Sequence, residues 1–288
     1  MIGYTLLGSI FFYMITFWTL YASLNAYSTA SVKADDKSTW KIYLDLDQKK
    51  RYLYITYITS VINAFGCLIG FYFGISNCTP PEDKQVSGFL GNTYLRNEYC
   101  VDHPNLYEVL AVQYFLGYLL WDTYVCVVMI GDVSSAGAVE NLIHHGLGIL
   151  GCIGNLLVGR YVTVLSTASM FTELSTPFCN IRYFLATHKK TKGQLFIVNG
   201  LMFLFSFFLA RNCFQGYLVA YLYWPAFSGR DNFAINEPTA LRCALWFLCV
   251  TYFVFCGLNL FWLYKIFTGA LKALGWISKP VKKEKREK

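Results

Sequence analysis

The feature that most constrains this chain is a succession of apolar runs, each long enough to cross a bilayer. A helix needs about 20 largely apolar residues to span roughly 30 Å of hydrocarbon. Such runs occupy Met1 to Leu24, Tyr52 to Ile75, Leu106 to Ile130, Val139 to Val158, Tyr161 to Leu185, Leu195 to Tyr221 and Ala240 to Phe267. Hydrophobic residues make up 56% of the chain and charged residues 14%, against roughly 25% charged in a soluble domain. The expected fold class is all-α: a polytopic membrane protein with about seven transmembrane helices. The remaining stretches are too short for a second globular domain, and no internal repeat is visible. The first run lacks a basic leader and is long enough to span, so it is expected to remain as a helix rather than be a cleaved signal.

Charge orders these spans. Loops on the cytoplasmic side are richer in Lys and Arg. Lys33, Lys37, Lys41, Lys49, Lys50 and Arg51 follow the first span, Lys189, Lys190 and Lys192 follow the fifth, and Lys279, Lys282, Lys283, Lys285, Arg286 and Lys288 end the chain. The alternate loops hold Lys84, Arg96, Arg160 and Arg230. An odd number of spans follows, with the N-terminus outside and the C-terminus inside. Tyr221, Tyr223 and Trp224 fit an interfacial aromatic girdle. The net charge of +7 lies largely in loops and tail, so no nucleic-acid partner is expected. The tail is read as an orientation signal and a contact for anionic lipid; its Lys285 and Arg286 weakly resemble a retrieval signal.

Cys78 and Cys100 share an outer loop. They are disulfide candidates if that side is oxidising; two unpaired thiols are the alternative. The other eight cysteines lie in or beside apolar runs and are expected to pack. Asn77-Cys78-Thr79 fits a glycosylation pattern but abuts the membrane and precedes Pro80 and Pro81, which argues against its use.

Ionisable groups inside apolar runs are costly and normally face protein or a watery cavity. At 1.5 Å per residue, Asp122 lies roughly 12 Å from the inner end of the third run and His144 roughly 8 Å into the fourth. The connection between them is short, so they are expected to meet on neighbouring helices. His144, Gly148, Gly151 and Asn155 recur on one helical face, which should approach protein closely, with Gly154 nearby. Leu142, Ile149, Ile153 and Leu156 would cover the other side. His145 points about 100° away from His144, and Glu140 is placed to orient His144. The fifth run carries Glu173, Thr176 and Asn180 on one face with Pro177 between, and Arg182 nearer the inner surface. Arg211 lies close to the outer end of the sixth. Together these form an expected polar network around a cavity.

The chain holds four histidines, too few for a histidine-rich di-iron site; the remaining pair, His103 and His188, lies outside the apolar runs, which argues against bis-histidine haem. No ligand set for zinc is apparent, and neither a P-loop nor a nucleophile elbow is present. No metal and no resident cofactor is expected.

Gly117-Tyr118-Leu119-Leu120-Trp121-Asp122, then Glu140-Asn141-Leu142-Ile143-His144-His145, resembles the TLC-domain family, which includes ceramide synthases and translocon-associated membrane proteins. Phe171-Thr172-Glu173-Leu174-Ser175-Thr176-Pro177-Phe178-Cys179-Asn180-Ile181-Arg182 is similar to its small members. The resemblance covers roughly residues 50–271 and implies six core helices around a lipid-accessible cavity. It divides the chain into an N-terminal helix and basic loop (1–49), a TLC-like domain (50–271) and a basic tail (272–288). In ceramide synthases the paired histidines belong to the acyl-transfer site, which makes His144, His145 and Asp122 the catalytic candidates. The same synthases carry a His-Asp step and a further Asp in the next span, where this chain reads Ser169-Met170-Phe171-Thr172-Glu173.

The leading expectation is therefore a protein that binds or handles membrane lipid without robust turnover, with phospholipid, sphingolipid or acyl-CoA as possible occupants. A second, of another class, is an accessory subunit of a large membrane complex, respiratory for instance, holding structural lipid beside other membrane-protein subunits. A third is an acyl-CoA-dependent lipid N-acyltransferase. The endoplasmic reticulum is the expected membrane, with the mitochondrial inner membrane as alternative.

Overall fold

A computed structural model describes residues 2–35, 38–88, 90–93, 95, 97–159, 161–220, 239–273 and 276. Lys37, Arg96, Arg160, Arg230, the aromatic group Tyr221, Tyr223 and Trp224, and the basic tail from Lys279 to Lys288 lie outside the described residues.

The long helices are α1 (Ile2–Ala34), α3 (Gln48–Ser76), α5 (Leu106–Tyr124), α6 (Ala136–Val158) and α9 (Gln194–Phe208), with a final helix, here α11 (Thr239–Ala273). Between them lie α2 (Lys41–Leu44), α4 (Glu98–Asp102), α7 (Tyr161–Ser169), α8 (Thr176–Thr187) and α10 (Gln215–Leu218). Among the described residues, six helical stretches are long and apolar enough to cross a membrane: Tyr4–Ala34, Gln48–Ser76, Leu106–Ile130, Gly137–Val158, Gln194–Leu218 and Arg242–Lys272. Their outer faces carry bare apolar side chains, including Leu157 at 81% and Leu195 at 63% exposure, as lipid-facing helices must.

Caps set the helix starts. Asp47 accepts from the backbone N–H of Lys50 at the start of α3, and Ser135 accepts from Ala138 at the start of α6. Asn105 and Glu108 form a reciprocal capping box on α5, satisfying two backbone donors that the helix itself leaves free. Gly131 ends the third passage at φ +71°, a left-handed conformation that glycine adopts without a Cβ clash.

The fifth run departs from expectation. It is no single helix: α7 leads into a 3-10 stretch, Met170–Ser175, and then α8. Pro177 is the physical reason. It has no N–H for an α-helical bond to the carbonyl of residue 173, and its ring crowds that carbonyl. Proline is tolerated at the first positions of a helix, where it stands in α8. The passage still traverses the bundle. Its start packs near α4, and its end meets α3, where His188 Nε2 lies 3.1 Å from the Tyr54 hydroxyl.

The two ends of the bundle differ in chemistry. One carries Lys33, Lys41, Lys49, Lys50, Arg51, Lys189, Lys190, Lys192 and Lys272. The other carries the Cys78–Cys100 disulfide, with Cα atoms 5.7 Å apart, and Tyr217 of α10 donates to the Leu95 carbonyl within that loop at 2.8 Å.

Helix α1 runs ten residues beyond its expected end at Leu24 and packs on α5 and α3. Ser9 donates to the Tyr114 carbonyl at 2.9 Å, Tyr13 donates to Asn63 Oδ1 at 3.1 Å, and Thr5 bonds Gln113. Gly117 permits the approach, since a Cβ there would lie 3.1 Å from the backbone nitrogen of Ile10. At the basic end, Arg51 donates to the carbonyls of Leu46 and Leu44 and to Asn25 Oδ1, which clamps the α1–α3 connection onto both helices.

Candidate functional site

The other passages, α3, α5, α6, α7–α8, α9 and α11, enclose a cavity of about 580 Å³ to which α1 contributes no lining residue. It opens toward the basic end, beside Asp132, Ser135 and Lys265. Ser135, with help from backbone N–H groups, donates to the Asp132 carboxylate and holds its pKa below the usual carboxylate value. Asp122, Glu140, His144, His145, Glu173, Asn180 and Arg211 all line the space.

The first group at its centre is an acid and two histidines. Depth along the helices brings Asp122 level with the histidine pair, but the partner is His145, not His144. Asp122 Oδ2 lies 3.6 Å from His145 Nδ1, beyond direct hydrogen-bond distance, while Thr123 Oγ1 is at 3.3 Å from the same nitrogen. The rotation of α6 explains the change. Its buried positions are His145, Cys152 and Asn155, with Gly148 against Leu119. The expected face, starting from His144, shares Gly148 and Asn155 with this one, so spacing alone cannot separate two faces one residue apart. Val139, Ile143, Leu150, Ile153 and Leu157 are exposed, whereas Ile149 and Leu156, expected on the opposite side, are partly buried and pack against the core.

His144 faces α11 instead. Its ring lies 5.0 Å from Phe255 and 5.3 Å from Trp262. Glu140 does not orient it: the Glu140 carboxylate accepts from Trp262 Nε1 at 2.9 Å and from Lys265 Nζ at 2.7 Å. The Lys265 ammonium makes a charge-assisted hydrogen bond to the carboxylate, roughly twice as strong as a neutral donor supplies. Two buried atoms in the cavity wall have no hydrogen-bond partner among the described residues: Asp122 Oδ1 and His144 Nδ1.

The second group is a closed ionic network. Arg211 Nη2 lies 3.2 Å from Glu173 Oε1, with side chains 7% and 9% exposed. Arg211 Nε also donates to the Thr172 carbonyl and Ser175 Oγ, and Nη2 to Thr176 Oγ1. Thr176 donates to Glu173 Oε2 at 2.6 Å. Arg211 sits in a π-helical stretch, Leu209–Phe214, and a second such stretch, Val125–Ile130, follows Asp122. Wide turns of this kind recur at functional sites because they re-aim side chains that an α-helix would place elsewhere.

The remaining expected residues divide. Asn180 is in the cavity wall and donates to the Tyr57 carbonyl at 3.0 Å. Asn155 lies deeper, bonded to Ser166, and lines a narrow cleft of about 90 Å³ between α6, α7 and α11. Arg182 is not part of the lining: its guanidinium lies over the Phe196 ring at 4.1 Å. At that depth an arginine can reach out beside an aromatic ring toward the interface and need not turn inward. Trp262, Lys265 and Cys126 were not anticipated. Lys265 did carry a signal, as a cation inside the last apolar run; Cys126 stands four residues after Asp122, on the same helical face, and its thiol points to Asp122 Oδ2 at 3.7 Å. No group of three or more His, Cys, Asp or Glu side chains suited to a metal occurs among the described residues.

Comparison with known proteins gives this geometry a family. TLC domain-containing protein 4-B of Danio rerio is 31% identical over 178 residues, which is 59% of this chain and 61% of that protein. An uncharacterized TLC domain-containing protein of Schizosaccharomyces pombe is 29% identical over 187 residues, 64% of this chain and 56% of the relative. The chain thus matches less than two thirds of the length of these relatives. No solved structure matches it. Residues 56–268 match the profile of the TLC domain, a stretch that contains every cavity wall described above apart from the outermost turns, and the chain belongs to the TLC-domain family.

Proposed function

We propose that the protein binds a membrane lipid inside this cavity, with the lipid's polar head at Asp122, His144 and His145, and serves lipid handling without chemical turnover. The observation that carries this reading is an open space of about 580 Å³ whose wall brings Asp122, His144 and His145 together. That volume falls within the usual range for ligand pockets. A head group hydrogen-bonded to a charged side chain in that wall gains about 1.5–3 kcal/mol. The Glu173–Arg211 network, by contrast, is already satisfied internally.

The reading extends to placement. The basic end faces the cytosol and the disulfide end an oxidising lumen, which suits the endoplasmic reticulum. Two independent features support this arrangement: basic loops favour the cytosolic side, and disulfides persist where thiols are not kept reduced. The cavity mouth is then cytosolic.

The test is native mass spectrometry of the full chain released from membranes. Retained lipid is expected on the parent protein, and Asp122→Asn is expected to lower the retained fraction roughly tenfold, through loss of a charge-assisted contact. Equal retention by both proteins would refute the assignment of the head group to Asp122; no retained lipid on either would refute the cavity reading as a whole.

A second reading, acyl-CoA-dependent acylation of an amine lipid, is favoured by the Asp122–His145 couple at 3.6 Å. In it, the amine nitrogen attacks the thioester carbonyl and His145 takes the amine proton while the Asp122 carboxylate stabilises the resulting imidazolium; the C–S bond then breaks, and the leaving coenzyme A thiolate takes that proton. Purified protein supplied with labelled acyl-CoA and a sphingoid base is the check. An amide product that disappears in His145→Ala supports it, and its absence from the parent protein rejects it.

A further inference from the structure

A lipid that reaches an enclosed cavity must pass between helices, so the seams around the cavity can be compared by what closes them. Most are held by polar side chains less than a tenth exposed. Asn180 closes α3 against α8, and Asn199 closes α9 against α8 through the Phe178 carbonyl at 2.9 Å. Arg211 ties the α9 passage to the 3-10 stretch. Asn259 ties α11 to Gln215 of α10 at 2.7 Å. Asp122 and His145 face one another between α5 and α6.

The α6–α11 seam is built differently. Along its length α6 presents Gly151, where a Cβ would meet nothing within 4 Å, and Gly154, against which Leu248 of α11 is seated. The narrow cleft of about 90 Å³ runs there, bounded on α11 by Leu248, Tyr252 and Phe255. At the cavity mouth the closure is Glu140, held by Trp262 and Lys265. These side chains reach solvent: Glu140 is 22% and Lys265 47% exposed, against 9% and 7% for Glu173 and Arg211. An exposed pair is held weakly and exchanges readily with water, whereas parting a buried pair strands charge in a poor solvent. The outer faces flanking the seam, Ile143 and Leu150 on α6 and Val254 and Phe261 on α11, are exposed and apolar, so bilayer lipid meets it directly.

We infer that the α6–α11 seam is a lateral door through which membrane lipid enters and leaves the cavity, latched at its cytosolic-side end by Glu140 with Trp262 and Lys265. This rests on the cavity binding lipid, as proposed above. Opening parts the Glu140–Lys265 pair, swings Trp262 away from the His144 ring, and leaves the buried ties of α11 to α10 as the hinge side.

The experiment follows lipid exchange. Full-length protein is reconstituted into vesicles of phosphatidylcholine, phosphatidylethanolamine and diacylglycerol, then fused with vesicles of the same lipids in deuterated form. Native mass spectrometry reads the rate at which heavy lipid replaces light lipid on the protein. Glu140→Gln and Lys265→Met are each expected to speed replacement about threefold, the size set by a half-exposed ion pair. The charge exchange Glu140→Lys with Lys265→Glu is expected to bring the rate back toward the parent value. A second measurement needs no variant: raising the salt concentration should speed exchange in the parent protein by screening the pair and leave Glu140→Gln unchanged. Retained lipid whose exchange rate responds neither to these variants nor to salt would overturn the door while leaving the cavity reading intact. A parent protein that retains no lipid overturns both.

Discussion

Replacing Arg211 with methionine is expected to destabilise the folded protein by about 3–5 kcal/mol, the usual loss when one partner of a buried ion pair is removed. The Glu173 carboxylate would then sit 9% exposed inside a membrane-spanning bundle, with Thr176 as its remaining donor. The Thr172 carbonyl and Ser175 would lose the guanidinium as well, so the 3-10 stretch loses its tie to the α9 passage. The double variant Glu173→Gln with Arg211→Met is expected to recover most of the loss, because no charge is left stranded. Unfolding of the purified protein in mild detergent, compared across the parent, both single variants and the double, measures the coupling. If the double variant loses the sum of the two single losses, the pair is no unit and the network reading fails.

Removing the disulfide with Cys78→Ser and Cys100→Ser is expected to cost about 2–3 kcal/mol, from the loop-closure entropy returned to the unfolded chain. The two cysteines are 22 residues apart in sequence. A closed loop this short returns little entropy to the unfolded chain, which keeps the loss in the lower part of the range for native disulfides. The loop also receives the Tyr217 hydrogen bond at Leu95, so proteolytic nicking between residues 79 and 99 is expected to rise with the loss of the bond. The same bond reports orientation. A membrane-impermeant reductant added to sealed vesicles of known sidedness should open it from the lumenal face and leave it intact from the cytosolic face. Reduction from the cytosolic face would invert the proposed topology.

The helices were legible in the sequence because hydrocarbon demands long apolar runs whatever they pack against. The depth of the polar residues was legible for a related reason: rise per residue is a constant of the helix, so Asp122 and the histidine pair could be placed level before any packing was known. Azimuth was not legible. His144 and His145 differ by one residue, and Gly148 and Asn155 are compatible with either face, so the neighbour of Asp122 depended on how α6 rotates against α5. Interruptions were half legible. Pro177 marked the break in the fifth passage, but the π-helical stretches that aim Arg211 and Cys126 have no local signature in these residues.

By itself, then, the sequence determined that this chain is an all-α membrane protein with a polar interior. It also carried the motifs of its family. These are consequences of composition, period and local order along one chain, and they need no partner to be expressed. Only the tertiary structure decided which polar groups meet. It gave Glu140 to Lys265 and Trp262 rather than to His144, turned His145 toward Asp122, paired Glu173 with Arg211 and left Arg182 outside. Those choices depend on contacts between segments far apart in sequence, where shape and rotation of whole helices select among pairings that the residues alone leave equally open.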